Sequence, residues 1–258
     1  MTFSKSQQNR MTIHKLSDPL THSYLDGSRF DETITFGYDF LTPLRNRVEV
    51  LSELVAGKRI LHIGCCDHIP LLQRKLGDRT WLHGRLTEAA AYCIGIDIDA
   101  EAISEARSLS GLRNIFYGDV TVMPKIAEIG NDKFDYTLLG EVMEHIGNPV
   151  HFLKSLLSIY RENIEQVIIT VPNALRADNI LNALKARETN NSDHRFFFTP
   201  YTIAKVAWDA GLAPVSVQMA LYSPAGRLKR AILNRFPLLG ENLIYIGASR
   251  SSEHPRAH

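Results

Sequence analysis

Apolar positions in this chain follow two alternating patterns, one short and continuous, the other repeating every three to four residues. Ile60, Leu61 and Ile63 make a compact apolar run, and similar runs occupy 93–96, 115–117, 134–139 and 167–171. Runs of this length between turn residues read as strands buried on both faces. Amphipathic stretches lie between them. Leu44, Val48, Leu51 and Val55 share a face of a helix that Thr42-Pro43 opens and Gly57 closes. Leu82 and Leu86 mark a helix over 81–91, and Asp99 caps another that carries Ile103 and Ala106. Asn148-Pro149 starts one with Phe152, Leu153, Leu156, Leu157 and Tyr160 apolar. Strand and helix alternate, which predicts an α/β, doubly wound, mostly parallel sheet.

After the fifth strand the pattern predicts a helical stretch at 174–187 and a polar loop at 190–194. A helix then runs from Thr199-Pro200 to Gly211, and the last two strands lie at 215–221 and 243–248. The sheet then has seven strands. The organisation read from this is an N-terminal arm or lid (1–40), a domain (41–250) and a polar tail (251–258). Cap-like insertions fall at 67–91, 174–199 and 222–240. Within the last of these, Arg227, Lys229, Arg230 and Arg235 interleave with Leu228, Ile232 and Leu233. Such a piece reads as the solvated face of a docked helix, with a membrane surface or an anionic acceptor as the other uses.

Charge and cysteine content narrow the class. A net charge of +1 gives no global electrostatic case for nucleic acid or a membrane surface. No apolar run reaches the length of a signal peptide or a membrane span. Cys65, Cys66 and Cys93 include no C-x-x-C pair, so they read as small apolar fillers in a reducing cytoplasm.

The candidate chemistry sits at the predicted strand ends: Gly64, Asp97, Asp119 and Glu141. In an open α/β sheet these ends line one crevice. Gly64-Cys65-Cys66-Asp67-His68 has one glycine where a pyrophosphate loop needs three, which excludes a dinucleotide and favours an adenosine without phosphates. Asp97 can accept both ribose hydroxyls. Asp119 can accept the adenine amino group, with Ile98 and Val120 flanking the ring. Asp99 reads as a helix cap.

Taken together, R-I-L-H-I-G-C, Y-C-I-G-I-D, Y-G-D-V, F-D-Y-T-L-L-G-E-V-M-E-H-I-G-N-P and V-I-I-T-V-P-N resemble the class I S-adenosylmethionine-dependent methyltransferases over roughly residues 45–220. The stretch from Phe134-Asp135 to Pro149 is the most specific piece, and D-H-R-F-F at 193–197 with Gly211-Leu212 adds to it. The resemblance implies S-adenosyl-L-methionine as cofactor, with Gly64 and Cys65 at its methionine portion, Asp97 on the ribose and Asp119 near the adenine. It also implies an antiparallel last strand. The chain departs from the family at His62, where an acid is usual, and at Cys66 and His68, where glycines are usual. The 33 residues from Gly64 to Asp97 are more than usual, and Trp81-Leu82-His83 within them is similar to methyltransferases of bacterial surface-polysaccharide clusters.

Glu141, Glu144 and His145 share one face if their stretch is helical. With His194 they make a candidate divalent-metal set for Mg²⁺ or Mn²⁺. E-x-x-E-H with a distant D-H also resembles small-RNA 3′-end and quinone-biosynthesis O-methyltransferases. The preferred role of His145 or His194 is a general base facing the acceptor, because a hydroxyl is a poor nucleophile at neutral pH. The reading is therefore O-methylation of a small molecule or glycan. Metal-assisted RNA or quinone-type O-methylation and a non-catalytic binding module are the alternatives.

Overall fold

The computed structural model describes residues 13–16, 18–222 and 225–250. The expected tail at 251–258 and the first twelve residues of the arm lie outside them. The first elements are β1 (Ile13–His14), α1 (Pro19–Leu25), β2 (Thr35–Phe36), α2 (Arg47–Leu54), β3 (Arg59–Ile63) and α3 (Ile69–Gly77). Next come α4 (Leu82–Ala89), β4 (Tyr92–Asp97), α5 (Ala100–Ser110), β5 (Ile115–Tyr117) and β6 (Phe134–Gly140). A 3₁₀ turn (Met143–His145), α6 (Pro149–Tyr160), β7 (Ile164–Pro172), α7 (Ala177–Ala183) and α8 (Pro200–Ala210) follow. The chain closes with β8 (Leu212–Ala220), α9 (Arg227–Arg235) and β9 (Asn242–Ser249).

Seven strands form one sheet in the order β5-β4-β3-β6-β7-β9-β8. The pairs from β5 to β7 are parallel, and β9 runs antiparallel to both neighbours. That is the expected doubly wound sheet with an antiparallel last strand. Side chains alternate across a strand, so β3 serves two layers. Leu61 and Ile63 join a core with Leu153, Leu156, Ile203 and Ala207 from α6 and α8. Ile60 joins Leu51, Val55, Leu82 and Leu86 from α2 and α4 on the other side. The crevice lies where β3 ends between its neighbours β4 and β6.

Two local expectations change, and one helix was not expected. The helix expected from Thr42-Pro43 begins at Arg47 instead, with Asn46 accepting from the amides of Val48 and Glu49. Before it the chain is held as a bridge to the end of β8: Arg47 N donates to Leu221 O, and Leu221 N to Arg45 O. That pairing wins over the Thr-Pro start signal, and the Thr42-Pro43 peptide is cis. Helix α3 was not expected: its N-cap residue, His68, makes no side-chain cap, so no capping residue announces it. The stretch expected at 174–187 is helical only over 177–183, where no side chain is buried.

The described part of the arm lies along α8. Lys205 Nζ donates to the carbonyls of Tyr24 and Leu25 at 2.7 Å, and His22 packs on Trp208 with ring centroids 4.8 Å apart. Phe36 stacks on Tyr201 near the start of the same helix. Among the described residues no helix is long and apolar enough to cross a membrane.

Candidate active site

The ends of β3, β4 and β5 build one half of the crevice. Gly64 has φ +66°, and a Cβ placed there would come within 2.5 Å of Val142 Cγ2, so both its backbone and its lack of side chain are required. Its amide donates to Ile96 O at 2.9 Å. The side chain of Cys65 is buried, and its carbonyl accepts from Trp81 Nε1 at 3.2 Å. Burial pushes the Cys65 thiol well up, so it is an inert filler. Asp97 ends β4 with its carboxylate bridging the loops: Oδ2 accepts from Cys66 N at 2.8 Å and Oδ1 from Asp99 N at 3.0 Å. Burial raises its pKa, and those backbone donors oppose the rise. Asp99 caps α5 through the amides of Glu101 and Ala102, as expected.

Asp119, beyond β5, is exposed and accepts from the amide and hydroxyl of Thr121. Ile98 beside it is 69% exposed, but Val120 is 3% exposed and packs in the core. Of the two expected flanks, Ile98 is thus open to solvent and Val120 lies in the core.

His62, at the position of the family's usual acid, does not reach the crevice. It is fully buried, and its Nδ1 lies 3.2 Å from Nδ1 of His83 on α4. One imidazole donates there and the other accepts, and neither Nε2 has a partner. Burial lowers the pKa of His62 well below the usual value and takes that of His83 to about 4. Both are neutral near pH 7, so an interior imidazole pair has replaced an acid at the cofactor's edge.

The other half of the crevice centres on Glu141, just past β6. Its φ is +61°, a left-handed conformation that is uncommon outside glycine and needs surroundings that enforce it. Four elements supply them. Glu141 N donates to Thr170 O on β7; its carboxylate accepts from Asn242 Nδ2 at 2.7 Å, Tyr222 Oη at 2.5 Å and Thr170 Oγ1 at 3.3 Å. Arg47, itself 7% exposed, donates to Thr170 Oγ1 at 2.9 Å and stands 3.7 Å from Glu141. Sequence reasoning missed Arg47, Thr170, Tyr222 and Asn242. The available signal was one polar threonine inside the apolar run V-I-I-T-V-P.

Glu141 is consequently absent from the metal set in which it was expected. The ligand atoms of Glu144, His145 and His194 lie within 4.8 Å of one another, and Glu141, held by its own cage, is outside that group. Arg195 N donates to Glu144 O at 2.8 Å and stitches the 193–195 loop to the 3₁₀ turn. Glu144 is fully buried and neither carboxylate oxygen has a hydrogen-bond partner. Burial, with the negative Glu141 nearby, pushes its carboxyl up to about 9, so it is protonated near pH 7. His194 Nε2 is 4.0 Å from Glu144 Oε1, and its ring meets that of His145 edge-on at 4.7 Å. Burial, then His145, lowers the His194 pKa. His145 Nδ1 lies 2.9 Å from Asp193 Oδ2. Asp193 belonged to the D-H piece but carried no expected role.

A family model described as a methyltransferase domain matches residues 37–217. The chain belongs to that family and is a class I S-adenosylmethionine-dependent methyltransferase. A ubiquinone biosynthesis O-methyltransferase of Aeromonas salmonicida (strain A449) is 25% identical over 175 residues, 65% of this chain and 68% of that protein. A protein of the same name from Glaesserella parasuis serovar 5 (strain SH0165) is 29% identical over 126 residues, covering about half of each chain (47% and 48%). Among solved structures, magnesium protoporphyrin IX methyltransferase from Synechocystis PCC 6803 with bound SAH has a TM-score of 0.51 at 14% identity, over 79% of this chain and 82% of that one. The small RNA methyltransferase HEN1 scores 0.53 at 17% identity, over 87% of this chain and 27% of that one. These two likenesses are of fold.

Proposed function

We propose that this enzyme methylates a hydroxyl oxygen of a small molecule or glycan, with His145 as general base. The observation that carries the reading is the 2.9 Å contact between His145 Nδ1 and Asp193. A carboxylate that accepts from Nδ1–H fixes the tautomer and leaves Nε2 as the proton acceptor. The His145 side chain is 25% exposed, so a substrate hydroxyl has access to it. O-methyltransferases among the relatives support an oxygen acceptor.

Bound S-adenosyl-L-methionine supplies an already activated methyl group, which leaves alignment and proton removal to the protein. The fit rests on Gly64, where the chain turns at positive φ with no Cβ to meet Val142, and on Asp97. Each Asp97 oxygen accepts one amide and keeps a further lone pair for a ribose hydroxyl. Asp119 and Ile98 take the adenine end. His145 Nε2 then takes the hydroxyl proton as the oxygen–methyl bond forms. We place this chemistry in the cytoplasm, since Cys65, Cys66 and Cys93 are free thiols.

A second reading has its own observation: the two buried, unpartnered oxygens of Glu144 beside two imidazoles. Glu144, His145 and His194 would hold a divalent cation that orients the acceptor oxygen. With Glu141 excluded the set has one carboxylate and two imidazoles, which suits Mn²⁺ better than Mg²⁺. Calorimetry separates the readings. S-adenosylhomocysteine should bind without metal, and Asp97→Ala should weaken that binding strongly. Absence of binding would sink the cofactor assignment. A Mn²⁺ heat that Glu144→Gln removes would favour the metal; transfer of labelled methyl to a panel of phenols, catechols and oligosaccharides in the presence of chelator would favour the histidine.

A further inference from the structure

We propose that α9, together with the neighbouring α7, docks this protein on an anionic lipid bilayer. Helix α9 is held to the domain by one narrow edge. Leu233 is its one buried residue, and Asn234 Oδ1 accepts from Leu44 N at 3.1 Å. The helix presents the solvated basic face expected from the sequence, with Arg227, Lys229, Arg230 and Arg235 exposed, and an apolar stripe beside it. Leu228, Ile232 and Phe236 stand four residues apart, on one stripe, and are 77%, 45% and 52% exposed. Arg227 and Arg235 flank that stripe on one side and Lys229 on the other, and α9 has no acidic residue. An exposed apolar stripe bordered by cations is the arrangement of a helix lying in a membrane interface.

Helix α7 extends the surface. None of its residues is buried, and Ile180, Leu181 and Leu184 at its end are 42%, 53% and 79% exposed. The charges of Asp178, in the first turn of α7, and Arg176, just before it, reach Lys229 on α9, the first raising and the second lowering its pKa. Asn173 Nδ2, where β7 ends, donates to the carbonyls of Leu238 and Gly240 just beyond α9. Both helices therefore sit at the carboxyl end of β7, beside the cage of Glu141 and Tyr222.

Charge selects the occupant. Segments 174–187 and 226–236 together hold seven Lys and Arg against the single acid Asp178, in a chain whose net charge is +1. The remainder of the protein is therefore net acidic, and this one apolar surface is strongly basic. Lys229 is drawn back to Glu241 at 2.5 Å. A second copy of the chain would set basic against basic at this surface, whereas anionic head groups complement it and acyl chains accept Leu228, Ile232 and Phe236. Docking by this surface brings the mouth of the crevice to head-group level.

The test is co-sedimentation of the full chain with vesicles of phosphatidylcholine alone or mixed with phosphatidylglycerol. Binding is expected to the mixed vesicles and to weaken with salt. Combined Leu228→Ser, Ile232→Ser and Phe236→Ser should reduce it at least about tenfold, as should combined Arg227→Glu and Arg230→Glu. S-adenosylhomocysteine affinity, unchanged in both variants, verifies their fold and keeps this result separate from the methyltransferase assignment. No sedimentation with mixed vesicles, equal binding to phosphatidylcholine alone, or binding indifferent to both variants would each overturn the proposal. So would a dimer seen by light scattering that the serine variant dissolves while no vesicle binds.

Discussion

The two halves of the crevice are built in opposite ways. On the side of β3, β4 and β5, each important group is fixed by its own strand end or the adjacent one. Gly64 turns immediately after β3, Asp97 clamps the amides of Cys66 and Asp99, and Asp119 bonds with Thr121 two residues on. On the side of β6, β7 and β9, Glu141 is held by groups from residues 47, 170, 222 and 242. The first half is an assembly of turns at adjacent strand ends, and the second is a long-range polar network with buried groups still unpaired. A half made of such turns presents one ligand shape. A network from distant elements changes whenever one contributor changes, which is how one methyl donor serves different acceptors.

If the halves are separable, mutations should split binding from turnover. The largest effect is expected on the acceptor side: His145→Ala should lower turnover about 10²–10⁴-fold while leaving S-adenosylhomocysteine affinity intact. Asp193→Asn should act in the same direction, and a fall in cofactor affinity in either variant would show that the halves are one unit. On the cofactor side, Asp97→Ala should weaken S-adenosylhomocysteine binding by about a hundredfold or more, since it removes a charged acceptor and leaves two amides unpaired. Calorimetry that found wild-type affinity would reduce Asp97 to a backbone clamp.

The imidazole pair beneath the cofactor half gives a pH test. The folded His83 titrates near 4 against 6.5 when unfolded, and His62 is also shifted down. The unfolded chain thus binds more protons as pH falls below 6.5, and the native state loses stability down to about pH 4. His83 alone accounts for roughly 3 kcal/mol of that loss. Denaturant titrations of His83→Leu should show a flatter profile in this window, and an unchanged slope would remove the pair from the account. The smallest effect is expected for Tyr222→Phe, which takes one hydrogen bond from Glu141. It should cost about 1–2 kcal/mol of stability by urea unfolding and leave S-adenosylhomocysteine affinity unchanged; a loss of that affinity would join the cage to the cofactor half.

Much of the framework was legible because its signals are local. Strands β3 to β7 appear as apolar runs, α5 and α6 announce their caps at Asp99 and Asn148, and Gly211 closes α8. The exceptions have separate causes. The start of α2 depends on what that segment packs against, and bonds to Leu221 override a Thr-Pro start. Helix α3 has no side-chain cap to announce it.

The apolar runs in the sequence were enough to specify the doubly wound fold, and the motifs at their ends, by resemblance, the methyltransferase family. The tertiary structure alone decided that His62 turns inward to His83, that Val120 is core, and that Glu141 leaves Glu144 and its histidines to join Arg47, Tyr222 and Asn242. The physical reason is that burial sets the fate of a polar side chain. A histidine or a glutamate carries the same letter whether it faces water, a ligand or another buried group. Which of these it meets depends on elements far away in the chain.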